Sequence, residues 1–293
     1  MGGAVGAEWL DRLAELRMAT LAGGQRAWHK PFLLLVALRR LDDGEPRLAA
    51  KREITRDVGR LLDRFQPAGT SGISRADAPW TYLPNDGLWE TSGGTTKDTG
   101  GLPERFFSEL AADRGLAHLS ISLLVHAYLP ESIHTEVLRD VGLTTGIASP
   151  ETVALAAPER AASVVSRFVR DPVFVSEVME AYSATCVVCR YDGRAGDRYI
   201  GLEAAHIRAL CDGGPDVPAN GWAMCVLHHR LFDVGMFSVR PDDLVVVASP
   251  RFSARSAHPL RAYVGEPVAV PAGVPLDREA LAFHSTAVFR AAS

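Results

Sequence analysis

Apolar and polar positions fall into blocks along the chain, and the blocks change character near its middle. The longest apolar run covers residues 32–38, inside a helix expected over 32–41. It is far shorter than the roughly 20 residues that a membrane-spanning helix requires. Next, Ile54, Val58, Leu61, Leu62 and Phe65 recur at helical spacing, with Arg52, Arg56, Arg60 and Arg64 on the opposite face. A solvated face beside Glu53, Asp57 and Asp63 accounts for these arginines, and a row facing DNA phosphates is the alternative. Up to about residue 142 the pattern alternates helix and turn. Residues 144–160, rich in Ala, Thr and Pro, read as a linker or loosely packed helix. Asp171-Pro172 is a helix start, with Asp as N-cap and Pro at the first position, and the helix runs to about residue 182. Residues 199–206 then have strand character, 212–220 form a Gly/Pro loop, and 225–232 suit a short helix. A strand is expected over 243–248 and mixed strand and turn over 259–269. No internal repeat is present, and the pattern assigns no role to the last forty residues.

Composition narrows the class. A chain of 293 residues has room for two domains, and 47% hydrophobic with 23% charged residues is an ordinary globular balance. The net charge of −4 excludes polyanion binding by bulk electrostatics, so any DNA contact must use local basic patches. Lys30, Lys51 and Lys97 are the only lysines. The many arginines fit a GC-rich coding sequence as readily as phosphate recognition.

The chemistry concentrates between Cys186 and His229. Cys186-Val187-Val188-Cys189 and Cys225-Val226-Leu227-His228 are two x2 pairs, each able to present two ligands from one tight knuckle. Together they complete a tetrahedral zinc quartet, and Cys211 fits neither knuckle and is expected to pack as a small apolar residue. Disulfides are not expected, since no secretory signal precedes the chain and intracellular thiols stay reduced; a cytoplasmic location follows as the expectation.

Between the knuckles lie the Leu202-Glu203-Ala204-Ala205-His206-Ile207 block, the Gly213-Gly214-Pro215-Asp216 loop, Asn220-Gly221 and His229 with Asp233 and Gly235 beyond. This strand–loop–helix order resembles the ββα-metal fold of HNH nucleases. The resemblance implies that His206 is the general base, that Asn220 fixes the loop and orients His206, and that His229 ligates a catalytic divalent cation such as Mg2+ or Mn2+. An imidazole that titrates near neutrality suits the proton transfer. Adjacent helical residues point about 100° apart, so His228 can serve the zinc while His229 serves the other ion. Many HNH enzymes carry an acidic ligand directly before the catalytic His, where this chain has Ala205. Glu203 shares a strand face with that position and is the candidate replacement, with Asp233 a weaker second. A solvated Glu203 is the plain alternative.

A second cluster lies near the N-terminus. Arg26, His29 and Lys30 precede the apolar helix, and Ala78-Pro79-Trp80-Thr81-Tyr82 with Trp89 supply an aromatic, apolar surface. Cations beside an apolar wall suit a phosphate with an unusually hydrophobic substituent. Each aromatic residue alone also fits a helical core. These blocks, ahead of an HNH segment, resemble the sulfur-binding domain of phosphorothioate-dependent restriction endonucleases. The resemblance implies an apolar cavity for the non-bridging sulfur near Ala78, Pro79 and Tyr82, with Arg26 and His29 on the phosphate and Lys30 and Trp80 among the DNA-binding residues. Where the family often has an aromatic residue, this chain has Ala78.

The expected fold is α+β with two domains: a mainly helical sulfur-binding domain over 1–142, a linker over 143–170, and a ββα-metal HNH domain with a structural zinc over 171–293. The expected function is a modification-dependent restriction endonuclease that reads phosphorothioated duplex DNA and hydrolyses it, with no membrane partner. One HNH site cuts one strand at a time, so a homodimer is one way to cut both. Two alternatives stay open: an HNH nuclease reading another modified base or plain sequence, and a non-catalytic DNA-binding protein on a zinc scaffold.

Overall fold

A computed structural model describes residues 4–21, 24–66, 76–92, 97–143, 146–169, 171–254 and 259–291. Gly23, and Thr144, Thr145 and Arg170 of the stretch read as linker, lie outside them. The chain divides into two compact units: Met1–Ala19 with Ala27–Gln66 and Thr70–Val169, and Thr20–Arg26 with Pro67–Gly69 and Arg170–Ser293.

The first unit is mostly helical. Its elements are α1 (Ala4–Ala14), α2 (His29–Asp42), β1 (Ala49–Ala50), α3 (Lys51–Phe65), α4 (Ala78–Tyr82), β2 (Glu90–Ser92), β3 (Thr99–Gly101), α5 (Glu104–Ala112), α6 (Arg114–Tyr128), α7 (His134–Val141), α8 (Pro150–Ala156) and α9 (Glu159–Ser166). The strands form one small antiparallel sheet in the order β1-β3-β2. Residues 31–38 are buried on every side of α2, which marks a central helix rather than a surface one. It packs on α3, α5, α6 and α7. The helix begins three residues earlier than the apolar run suggests, because Pro31 in its first turn lacks only an N–H that would have no intrahelical partner. On α3, Ile54, Val58, Leu61, Leu62 and Phe65 are buried while the four arginines face solvent.

Residues 150–166 are not a linker. Ser149 caps α8 by accepting from Thr152 N–H, and Pro150 starts the helix. Val153, Ala161 and Val165 are buried where α8 and α9 meet α1 and α6. An Ala-rich composition hid a sparse apolar stripe that suffices for short helices docked on a larger body.

The second unit has little regular structure. It contains α10 (Pro172–Ala181), β4 (Arg194–Ala195), β5 (Arg198–Tyr199), β6 (Leu202–His206), β7 (Gly221–Cys225), α11 (Val226–Asp233), β8 (Phe237–Val239), β9 (Val246–Ala248), α12 (Arg278–Phe283) and a π-helical turn at His284–Val288. The expected strand 199–206 breaks at Gly201, whose φ of 68° turns the chain between β5 and β6. The expected strand 243–248 keeps only its last three residues, since Arg240 and Asp243 pair across a turn and Leu244 takes φ 61°. β6 and β7 pair antiparallel, with Ala204 opposite Ala223, Ala205 opposite Trp222 and His206 opposite Gly221. This hairpin lies between two helices. Phe174 and Val178 of α10 crowd Gly221 so closely that a Cβ there would sit 2.4 Å from Val178. On the other face, Trp222 packs against Phe232 of α11 at 5.7 Å.

The last forty residues are part of this core. Leu260 and Leu281 are fully buried, Ala269 N–H donates to Val187 O at 2.9 Å, and Tyr263 Oη donates to Cys189 O at 3.2 Å. Among the described residues no helix is long and apolar enough to cross a membrane.

Candidate functional site

Two knuckles meet first. Arg190 N–H donates to Cys186 O, and Val187 N–H donates to Ala223 O, which fastens the Cys186–Cys189 turn to β7. Cys225 ends β7, and His228 lies in the first turn of α11. The four ligand atoms of Cys186, Cys189, Cys225 and His228 lie within 4.8 Å of one another. Cys189 Sγ is 3.8 Å from Cys225 Sγ, and His228 Nδ1 is 3.7 Å and 3.2 Å from the sulfurs of Cys186 and Cys225. A tetrahedron with bonds of roughly 2.3 Å to sulfur and 2.0 Å to nitrogen has edges of about 3.5–3.8 Å, so the donor set fits a four-coordinate ion. Hydrogen bonds from Cys189 and Cys225 hold the Cys186 thiol well below its ordinary pKa, toward the thiolate that a metal needs. Cys211 stands apart, buried in the turn Leu210–Asp212, where burial pushes its thiol up.

His229 turns away from the thiols. Its Nδ1 meets Glu203 Oε2 at 2.7 Å and its Nε2 meets Asp233 Oδ2 at 3.3 Å. Glu203 reaches it because residues 203 and 205 of β6 face α11, and Asp233 because it lies one turn further along that helix. Burial opposes a charge on His229, but the two carboxylates outweigh it and push its pKa up to about 9. Glu203 is partly exposed and Asp233 is buried.

His206 leaves the opposite face of β6. Its ring stacks on Phe174 with centroids 4.4 Å apart and planes 7° from parallel. Its Nε2 lies 2.9 Å from Asp216 Oδ1. Asn220 is fully buried and makes three bonds: Oδ1 accepts from Arg208 N–H, and Nδ2 donates to Arg208 O and Pro215 O, at 2.9–3.0 Å. Gly214 lets this loop close, since a Cβ there would lie 1.8 Å from Arg208 O. The structure thus gathers Glu203, His229 and Asp233 into one set, and His206, Asp216 and Asn220 into another at the end of the same strand. Asp216 and Phe174 had no role in the sequence reading. The one signal for Asp216 was its place in a Gly-Gly-Pro-Asp turn just before Asn220.

The structure divides the N-terminal candidates between core and surface. Trp80 and Trp89 are core residues, edge to face at 5.3 Å, with Trp80 Nε1 donating to Lys97 O. A five-residue helix carries too little periodicity to tell its buried side from its exposed one. Pro79 is buried beside them, Ala78 is half-buried, and Tyr82 is 59% exposed. Lys30 donates to Asp86 Oδ2 at 2.5 Å and to Arg17 O at 2.8 Å, so it builds the unit rather than standing open to solvent. His29 is buried in the first turn of α2. Arg26 belongs to the second unit, where its N–H donates to Asp212 Oδ1 at 3.3 Å.

Two segments of the chain match known domain families. Residues 6–146 match the family model of the ScoMcrA-like DNA sulfur-binding domain, and residues 186–240 match that of HNH endonucleases. No curated protein matches the chain. Among solved structures, the modification-dependent TagI restriction endonuclease is 29% identical over 40% of this chain, with a TM-score of 0.33. The chain spans 37% of the length of that protein. The sulfur-binding domain of SprMcrA, complexed with phosphorothioated DNA, is 26% identical over 47% of this chain and 94% of its own, with a TM-score of 0.41. The type IV phosphorothioation-dependent restriction endonuclease ScoMcrA is 13% identical over 94% of this chain and 98% of its own, with a TM-score of 0.36. All three scores fall below 0.5, and the assignment rests on the two family models. The chain thus carries a segment that matches ScoMcrA-like DNA sulfur-binding domains, followed by one that matches HNH endonucleases.

Proposed function

We propose that this protein binds duplex DNA carrying a phosphorothioate through its N-terminal unit and hydrolyses a phosphodiester bond of that DNA at its HNH site. The observation that supports hydrolysis most directly is His229 held between Glu203 and Asp233 within the HNH match. His229 and Glu203 would hold a divalent cation such as Mg2+ or Mn2+, with the second ring nitrogen of His229 oriented by Asp233, as ligating histidines usually are by a carboxylate. A cation held there would supply positive charge against that growing on the scissile phosphate and leaving oxygen. His206 takes the proton from the attacking water, and Asn220 holds the loop that borders it. Cys186, Cys189, Cys225 and His228 would hold a structural zinc.

On the reader side, Tyr82 offers the exposed aromatic wall, backed by Ala78 and Pro79 with Trp80 beneath them. Sulfur is larger and less strongly hydrated than oxygen, so an apolar wall accepts it at less cost than it accepts a phosphate oxygen. Exposed Arg26, carried by the second unit, would make its own contact with the DNA backbone, while buried His29 and the Asp86-paired Lys30 brace the start of α2. The reader spans 1–142 in this proposal and the nuclease 171–293, with α8 and α9 completing the first unit. The protein would act in the cytoplasm, alone or as a homodimer.

The test measures binding of the full chain, at moderate salt, to two duplexes that differ only in one non-bridging sulfur. We expect at least thirtyfold tighter binding to the sulfur duplex, about 2 kcal/mol. Cutting should be confined to that duplex and depend on a divalent cation. Equal affinity would remove the reader assignment.

A further inference from the structure

A histidine that takes a proton from water must present a bare nitrogen to it, with the ring proton on the other nitrogen. The strand carrying His206 does not decide which is which. The groups around the ring do. Asp216 Oδ1 lies 2.9 Å from Nε2, and a carboxylate only accepts, so the ring proton sits on Nε2 and Nδ1 keeps its lone pair. Phe174 stacked on the ring fixes its plane.

Asp216 is itself held at both ends. Its other oxygen, Oδ2, accepts the backbone N–H of Asp171 at 3.1 Å, at the start of α10. The carbonyl of the preceding residue, Pro215, accepts from Asn220 Nδ2 at 2.9 Å. Helix α10 therefore supplies both the ring's stacking partner and the anchor of its carboxylate, and Asn220 acts on His206 through the loop that carries Asp216.

We propose that Asp216 is a positioning residue of the nuclease site, which locks His206 in the Nε2–H tautomer so that Nδ1 takes the proton of the attacking water. This rests on the reading of His206 as the general base. In the step, a water O–H bond breaks and its proton goes to Nδ1 while the oxygen bonds to phosphorus. The bond from phosphorus to the leaving sugar oxygen breaks, and that oxygen takes a proton from solvent. The carboxylate then faces an imidazolium and stabilises it, as in other carboxylate–histidine pairs.

Asp216→Asn makes a sharp test because it keeps the shape of the side chain. The Asp171 N–H requires an oxygen, so the amide must turn its NH2 toward Nε2, which forces the ring proton onto Nδ1. We expect kcat to fall by about 10²–10⁴-fold with KM within threefold, and Asp216→Ala to fall at least tenfold. The tautomer is read on the full chain with 15N-labelled histidine, the His206 signals being assigned by their loss in His206→Ala. Wild-type protein should carry the proton on Nε2 and Asp216→Asn on Nδ1. Wild-type His206 protonated on Nδ1, or an Asn variant that cuts within threefold of wild type, overturns the proposal. A His206→Ala protein that cuts at the wild-type rate instead overturns the general base, whatever the tautomer.

Discussion

Each unit buries histidines, and it treats them oppositely. In the helical unit, His126 and His134 lie 5.2 Å apart, with ring nitrogens against the carbonyls of Ala148 and Leu129. Burial, and after it the neighbouring His126, drive the pKa of His134 down to about 4, so the ring is neutral and behaves as packing. In the nuclease unit, His229 is just as buried, yet Asp233 and Glu203 push it up to about 9. The difference lies in the acceptors. Carbonyls satisfy a neutral ring at no cost in charge, whereas two carboxylates around one imidazole leave a net negative pocket that favours a proton or a metal ion. Within the nuclease unit, His284 makes the same point: held by Ser238 and Phe232 O without a carboxylate contact, it is pushed down by burial to about 4.

The largest contrast between the units should appear on disrupting the four-ligand cluster. The first unit is built from long helices such as α2, α3 and α6, while the second has its own apolar core among short elements, and β7 and α11 carry ligands of the four-residue cluster. Apparent binding energies of structural zinc are on the order of 10–16 kcal/mol in zinc-finger peptides, comparable with the stability of a whole domain. Chelation, or Cys225→Ser, should therefore abolish hydrogen-exchange protection in β6, β7 and α11 while α2 and α6 stay protected. Binding to a sulfur duplex should survive and cutting should not. Equal loss of protection in both units would show that their stabilities are not separate.

The Cys/His cluster was readable in the sequence because its geometry is local: two residues three apart on one turn make half a site. The catalytic candidates His206, Asn220 and His229 were readable for a similar reason, lying at a strand end, a loop end and a helix start. Asp216 and Phe174 were not, because Asp216 is brought to His206 by the loop that Gly214 and Asn220 close, and Phe174 by the docking of α10 on the β6–β7 hairpin, and no periodicity encodes either contact. The reader was harder still. Trp80 and Tyr82 look alike in sequence, and only packing around Trp89 buries the first and exposes the second. The role of the last forty residues was not legible, since those described brace the Cys186–Cys189 knuckle largely through irregular chain.

A smaller separation of the two units concerns His206. His206→Ala should slow cutting by about 10²–10⁴-fold, the range of a lost general base, and leave the affinity for a sulfur duplex within twofold. The comparison with His134 sharpens it, because a buried histidine without a carboxylate should matter to melting and not to the rate once the protein is folded.

Smaller again is the response to pH, which should run in opposite directions. His229 has a folded pKa of about 9 against an unfolded 6.5, so its contribution is present below pH 6.5 and is lost as pH rises to 9. His134 has a folded pKa of about 4, so the first unit is at full stability above pH 6.5 and loses it as pH falls toward 4. Each window amounts to roughly 3 kcal/mol at most. In the acid window the nuclease unit carries opposing terms, since burial raises Asp212 to about 6 while it lowers His284 to about 4. The alkaline window is the cleaner one. Exchange measured between pH 7 and 9 should show the nuclease unit weakening and the helical unit steady, and an added divalent cation should flatten the loss by replacing the proton on His229. A flat alkaline response without cation would mean that the carboxylates do not hold that proton.

The smallest effect expected is at the arginine row on α3, where the helical unit would depend on charge in its own way. Arg60 and Arg64 are exposed and pair with Asp57 and Asp140 at 2.6 Å and 2.5 Å, and Arg56 lies 3.6 Å from Asp57. Exposed pairs of this kind contribute between nothing and about 1 kcal/mol, so replacing Arg56 and Arg60 by Glu should barely move the melting temperature. Affinity for DNA is the better probe, because each phosphate contact adds close to one unit to the slope of log affinity against log salt. If the row faces the duplex, the double variant loses about two units of slope equally on sulfur-containing and plain DNA, while the preference for sulfur is unchanged. An unaltered slope assigns the row to solvent and leaves DNA recognition to the opposite pole of the contrast, an apolar wall that selects one atom.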